Sequence, residues 1–130
     1  MKGEIILRII IDTDIAIDFL RGDKTVENIL SKLWENNITN ISILSVYELF
    51  AGMKKNEKED TLNFINASTV EPVSLKIAEY GGEFFKKYRK TGITLTTVDC
   101  LIMATAYLKK YKIFTGNIKH YPEKELIYYP

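Results

Sequence analysis

Ile5-Ile6-Leu7-Arg8-Ile9-Ile10-Ile11-Asp12-Thr13-Asp14 is the stretch that decides the fold. A nearly unbroken β-branched run of strand length reads as a strand buried on both faces, the pattern of a parallel sheet. Asp12-Thr13-Asp14 then offers helix-start chemistry. The chain alternates in this way from end to end. Ile15 to Leu20 reads as a short helix stopped near Gly22. Val26, Ile29, Leu30, Leu33 and Trp34 fall at helical spacing, with Trp34 in the core. Ile41 to Leu44 reads as a second strand and Val46 to Ala51 as a helix ending at Gly52. Lys54 to Asp60 is polar and solvated, and Leu62 and Ile65 mark a helix ending near Asn66. Val70 to Val73 suits an edge strand, because Pro72 lacks a ladder donor.

Two longer helices follow, Leu75 to Lys90 and the largely buried Thr97 to Lys110. Gly81-Gly82 interrupts the first at a cost of about 1 kcal/mol per glycine relative to alanine. Close packing or a bend would account for the pair. Ile113 to Thr115 is a buried strand, and Ile127 to Tyr129 suits a last one. Strands alternating with helices predict an α/β domain over residues 1–130: a central parallel sheet of four to five strands, flanked by helices in three layers.

Composition sets the bounds on function. A net charge of +1 gives no global attraction for nucleic acid, so any steering comes from local patches. The lone cysteine, Cys100, excludes an internal disulfide and a thiolate metal cage and fits a cytoplasmic location. The opening run is short, broken by Arg8 and followed at once by acids, so it reads as no secretory signal. No apolar stretch approaches the roughly 20 residues needed to span a bilayer.

Three acids stand at predicted strand ends or helix starts: Asp12, Glu48 and Asp99. Each has an ordinary structural reading. Ser45-Val46-Tyr47-Glu48 and Thr96-Thr97-Val98-Asp99 fit the capping box, and Asp12 suits a helix N-terminus. A parallel sheet would nevertheless gather all three at one edge. Two carboxylates about 4 Å apart repel by about 4 kcal/mol at an effective dielectric near 20. Capping does not justify that cost three times in one place, whereas a hard divalent cation with oxygen ligands does.

The pattern resembles the PIN-domain ribonucleases, in particular the VapC-like toxins of type II toxin–antitoxin pairs. The resemblance rests on four segments in order: Ile9-Ile10-Ile11-Asp12-Thr13-Asp14-Ile15-Ala16-Ile17-Asp18-Phe19-Leu20, Ser45-Val46-Tyr47-Glu48-Leu49-Phe50-Ala51-Gly52, Thr97-Val98-Asp99-Cys100-Leu101-Ile102-Met103-Ala104-Thr105-Ala106 and Phe114-Thr115-Gly116-Asn117-Ile118-Lys119-His120-Tyr121. It implies a single PIN-like domain cleaving RNA phosphodiester bonds with a water activated by Mg²⁺ or Mn²⁺. It makes Asp12 and Asp99 direct or near-direct metal ligands and Glu48 one that acts more through water. The fourth family position, often an aspartate, falls at Asn117, which brings a carbonyl but no charge. Where some relatives place an acid slightly later, this chain has His120, its only histidine, a surface loop residue or a contact for phosphate or partner. Thr13 and Thr115 would orient acids or waters, and Asp14 and Asp18 are extra acids near the site. The resemblance also implies a homodimer and a cognate antitoxin seated in an apolar groove formed by the first helices and the Leu49–Phe50 region.

The densest basic run is Lys86-Lys87-Tyr88-Arg89-Lys90, with Lys109-Lys110-Tyr111-Lys112 and Lys54-Lys55 next. Each suits either the solvated face of a helix or a phosphate track with aromatics for base stacking. Other functions compete with the toxin reading: an RNA-maturation nuclease, or a binding module whose site has degenerated through Asn117. Asp12-Thr13-Asp14 is also similar to the nucleophile motif of haloacid-dehalogenase-type phosphatases. There Ala16 replaces the usual Thr or Val, and the paired acids near the C-terminus are missing.

Overall fold

In the computed structural model, which describes residues 7–36 and 38–130, the opening run becomes strand β1 (Ile9–Ile11), buried throughout. Ile5 and Ile6 of the expected strand lie outside the described residues. β1 pairs in parallel with β2 (Thr39–Ser42) on one side and with β4 (Lys112–Phe114) on the other. Ile9 stands opposite Thr39 in the first pair and Lys112 in the second. The short β3 (Thr69–Glu71) joins outside β2, giving the order β3-β2-β1-β4, all parallel. β3 lies at the edge as expected, but it starts one residue earlier and ends at Glu71, leaving Pro72 and Val73 outside it. The expected strand at Ile127–Tyr129 is reduced to one parallel bridge between Ile113 and Ile127, supported by the Tyr128 amide donating to the Ile113 carbonyl at 2.8 Å.

Helices cover both faces of this sheet. α1 (Thr13–Leu20), α2 (Lys24–Glu35), α3 (Ile43–Gly52) and α4 (Lys58–Asn66) lie on one face, and α5 (Leu75–Arg89) and α6 (Thr97–Lys109) on the other. The period-2 alternation of β1 divides the core accordingly: Ile9 and Ile11 pack with α1–α4, and Ile10 packs with Ile102, Met103 and Ile113 beneath α6. Trp34 belongs to the first core, edge-on to Phe19 at 5.0 Å and to Phe64 at 5.8 Å between ring centroids. Close packing accounts for one glycine of the Gly81-Gly82 pair. A Cβ on Gly81 would stand 2.8 Å from Leu101 Cδ2 of α6, whereas one on Gly82 would meet open space. Among the described residues no helix is long and apolar enough to cross a membrane.

Two readings around β2 need correction. The strand runs two residues earlier than its apolar pattern suggests, because Thr39 and Asn40 are buried polar residues with partners inside the fold. Asn40 Nδ2 donates to the Ile9 carbonyl at 3.1 Å, and the Thr39 hydroxyl is 2.8 Å from Ser68 Oγ. The helix after it then starts at Ile43, with Ser42 as its cap accepting the Leu44 amide at 3.1 Å. Ser45 and Glu48 therefore lie inside α3 and form no capping box. Lys54 to Asp60 is exposed as expected, but it is partly helical: a 3₁₀ turn over Lys55–Glu57 leads directly into α4.

The topology picks out one place for chemistry. From β1 the chain moves outward through β2 and β3, then crosses back to add β4 on the other side of β1. The loops after β1 and β4 thus diverge at a switch point, and in open α/β sheets the crevice beyond the carboxyl ends of the strands at that point is where ligands bind. Asp12 follows β1 and Thr115 follows β4.

Candidate active site

Asp12 is the N-cap of α1, and its Oδ1 accepts the Thr13 amide at 2.8 Å. This capping role, legible in the sequence, occupies one oxygen only. Oδ2 accepts the Thr115 hydroxyl at 2.8 Å, and that hydroxyl in turn accepts the Asn117 amide at 3.0 Å. The Thr13 hydroxyl donates to Glu48 Oε1 at 2.6 Å and stands 2.9 Å from Ser45 Oγ. The two threonines, expected to orient acids or waters, each meet an acid here, Thr115 with Asp12 and Thr13 with Glu48. Ser45, whose capping reading fails, braces Thr13 instead.

On the other side of Asp12, Thr96 caps α6 and accepts the Asp99 amide at 3.1 Å. That is the expected serine/threonine half of a capping box. The Asp99 carboxylate is engaged elsewhere: the Tyr121 hydroxyl lies 3.3 Å from its Oδ1. Tyr121 is fully buried and its phenol faces Asp12 as well as Asp99. Burial and the two carboxylates push its ionisation well above the ordinary phenol range. Tyr121 thus stays a neutral phenol whose single proton goes to Asp99, with Asp12 close by. Sequence reasoning quoted this residue in a motif but gave it no role, since nothing local distinguishes such a tyrosine from a core one.

Asp14, read from sequence as a spare acid, sits inside the network. Its Oδ1 accepts the Ile15 amide at 2.8 Å, and its Oδ2 accepts the Gly116 amide at 2.9 Å and Asn117 Nδ2 at 3.0 Å. One connected set of bonds therefore runs from Glu48 and Thr13 on α3 and α1, through Asp12 and Thr115, to Asn117 and Asp14. Asp99 joins it through Tyr121. The acids share one end of the sheet, yet they do not form a closed cage. Among the described residues no three Asp, Glu, His or Cys side chains lie close enough to ligate one ion as placed.

The electrostatics are one-sided. Asp12 is 7% exposed and its carboxyl is raised from 3.8 to about 6, first by burial, then by the Asp14 charge; the Thr115 hydroxyl, the nearby Tyr121 phenol and the Thr13 amide pull the other way. Asp14 is raised as well, chiefly by burial. None of the ion pairs among the described residues involves Asp12, Asp14, Glu48 or Asp99. The donors are all oxygen and the charge is uncompensated, which is the chemistry that suits a hard divalent cation.

The remaining candidates lie around this pocket. The basic run ends α5 beside the start of α6. Lys87 pairs with Glu123 at 2.9 Å, two residues beyond Tyr121, and Lys86 pairs with Glu83 at 3.1 Å. The Arg89 guanidinium lies 5.9 Å from the Phe85 ring centroid, and Lys90 is exposed. His120 is exposed in a 3₁₀ turn over Ile118–His120. A cavity of about 430 Å³ opens between α1, α3 and the start of α4, lined by Ile17, Leu20, Glu48, Leu49 and Met53 among others. Arg21, Lys54, Glu57 and Asp60 line it too, so it is more polar than the apolar groove expected of this region; Leu49 lines it and Phe50 does not.

The sequence and fold resemble those of known proteins. The PIN domain model matches residues 9–121, a span that begins with β1 and ends at Tyr121. The ribonuclease VapC19 of Mycobacterium tuberculosis is 34% identical over 114 residues, covering 87% of this chain and 91% of the relative. The ribonuclease VapC10 of the same organism is 29% identical over 114 residues, covering 88% and 86%. Among solved structures, a toxin–antitoxin complex from Klebsiella pneumoniae superposes with a TM-score of 0.79 at 25% identity, over 93% of this chain and 96% of that one. With the family model matching residues 9–121 and a relative 34% identical over 87% of this chain, the chain belongs to the PIN-domain family.

Proposed function

We propose that this chain is a divalent-metal-dependent endoribonuclease, the toxin of a toxin–antitoxin pair, acting in the cytoplasm. The observation that carries the proposal is the uncompensated acid network at the switch point of the sheet, with Asp12 buried and Asp14, Glu48 and Asp99 half-buried. The printed names of the relatives, ribonucleases of the VapC type, support the reaction class. The superposition on a toxin–antitoxin complex supports the partner.

Asp12 and Asp99 would hold Mg²⁺ or Mn²⁺, with Glu48 contributing through water and Asn117 through its side-chain carbonyl. Once bound, the cation supplies charge stabilisation at the phosphoryl oxygen and a nucleophilic water at neutral pH. Thr115 keeps one Asp12 oxygen turned toward the loop, and Thr13 fixes Glu48 at the rim of the groove. Tyr121 lends a hydroxyl proton to the Asp99 side and keeps bulk water from the floor of the pocket. Arg89 and Lys90, together with Lys86 and Lys87 when RNA displaces their glutamates, provide the phosphate track, so RNA affinity falls steeply with salt. The cavity between α1, α3 and α4 takes an antitoxin segment whose apolar side chains meet Ile17, Leu20, Leu49 and Met53 and whose polar ones meet Arg21, Lys54, Glu57 and Asp60, and two copies of the chain associate as a homodimer.

The test is cleavage of an RNA oligonucleotide with and without EDTA, in wild type and Asp12→Asn. The expected result is cleavage that needs the cation and is lost in the variant. Cleavage by Asp12→Asn at the wild-type rate would remove the proposal. The open spacing of the acids favours one second reading, a PIN module that binds RNA or a partner without cutting. Titration with Mn²⁺ separates the two, because a dead site gains little stability from the ion.

A further inference from the structure

The asparagine at position 117 looks like a lost acid when the loop is read alone. Its contacts give it another meaning. Asn117 Nδ2 donates to Asp14 Oδ2 at 3.0 Å, beside the Gly116 amide at 2.9 Å on the same oxygen. Gly116 is needed for so close an approach, because a Cβ there would stand 2.8 Å from that oxygen. The Asn117 backbone amide goes to Thr115 Oγ1, and the Thr115 hydroxyl goes to Asp12 Oδ2. Asn117 thus joins Asp14 to Asp12. An aspartate at 117 would set two carboxylate oxygens in contact with no proton between them.

We propose that Asp14 and Asn117 are a matched pair in which α1 supplies the fourth acidic side chain of the pocket and the loop after β4 supplies the donor that holds it. The charge stands on the helix, and the asparagine on the loop is its complement. Asp14 acts as a positioning residue, working on Asp12 through Asn117 and Thr115 while adding to the negative charge a cation meets. This inference rests on the cation-site reading given above.

The experiment is a swap. Wild type, Asp14→Asn, Asn117→Asp and the double variant are compared in two measurements: the thermal midpoint without metal, and Mn²⁺ affinity by calorimetry. Asn117→Asp should lower the metal-free midpoint, and Asp14→Asn should weaken Mn²⁺ binding at least tenfold. The double variant should recover part of both, because an amide on α1 can donate to a carboxylate on the loop but can no longer accept both the Ile15 and the Gly116 amides. If Asn117→Asp does not fold, folding of the double variant is itself the rescue. A double variant no better than the sum of the two single changes overturns the pairing. So does an Asp14→Asn protein that matches wild type in both measurements. Wild type that binds no Mn²⁺ removes the cation reading, and the pair is then decided by the metal-free midpoints alone.

Discussion

Asp12 and Glu71 are buried to the same degree, 7% exposed each, and both lie at the carboxyl ends of parallel strands. Their surroundings differ completely. Glu71 accepts the Tyr111 hydroxyl at 2.6 Å and pairs with the Lys109 ammonium at 3.3 Å. The Tyr111 phenol is pushed up to about 12 by its own burial and by that glutamate, so it remains a donor. Asp12 has neutral donors, a second aspartate beside it and no cation. The fold can neutralise a buried carboxylate with a lysine, and it does so where the carboxylate serves packing. At the switch point it leaves the charge open. A charge left open in a pocket of oxygen donors is a place for an ion from solution.

The sharpest way to break this contrast is to remove each acid in turn. Asp12→Asn and Asp99→Asn should each lower single-turnover RNA cleavage on the order of 10²–10³-fold, the scale of losing one electrostatic contact at a reacting centre. Glu71→Gln should cleave at close to the wild-type rate. Equal losses at Asp12 and Glu71 would mean the two sites do not differ as described. Cation addition comes next. With Mn²⁺ at 100 times its dissociation constant, urea denaturation should show wild type stabilised by about 2.7 kcal/mol, with the gain lost on adding EDTA and absent in Asp12→Ala. Lys109→Met should leave Glu71 buried without its counter-charge and cost about 1–2 kcal/mol, less than a fully buried pair because Lys109 is itself 45% exposed. Mn²⁺ should not offset that loss.

The smallest effect is one of pH. The folded-state pKa of Asp12 is raised, so its folded form holds a proton more tightly than the unfolded chain. The stability this contributes is complete below about 3.8 and is lost as pH rises through about 6. Going from pH 7 to pH 5 without metal should therefore add about 1.4 kcal/mol through this residue. The quantity to measure is the difference between the pH profiles of wild type and Asp12→Asn in urea denaturation. The asparagine keeps the Thr13 bond through its Oδ1 and meets Thr115 with its Nδ2 as the donor, reversing that bond, but it cannot titrate, so its profile should lack the increment.

Much of this was legible in the sequence for physical reasons that are local. The Ile9-Ile10-Ile11 run, the helical spacing from Val26 to Trp34 and the proline after β3 each report a backbone state directly. Asp12 and Asp99 were placed by the elements they begin. β2 was misplaced by two residues because Asn40 hides a side-chain amide in the core, and a pattern search treats such a residue as surface. The Ser45–Glu48 box misled for a related reason, since Ser42 caps that helix first. The roles of Asp14 and Tyr121 were not legible. The partners of Asp14 in the loop after β4 lie 102 and 103 positions away, and Tyr121 reaches Asp99 across 22. Contacts at such separations depend on topology, which spacing along the chain does not encode.

β1 is an interior strand, and one of its neighbours is the last strand the chain adds. The bond from Thr115 to Asp12 closes a loop of 103 residues, and so does the one from Asn117 to Asp14. Closure of that span carries a large entropic cost that only the docked strand can offset. A growing or partly folded chain therefore has the acids but not the pocket, and any cutting by this protein waits until its two ends have met.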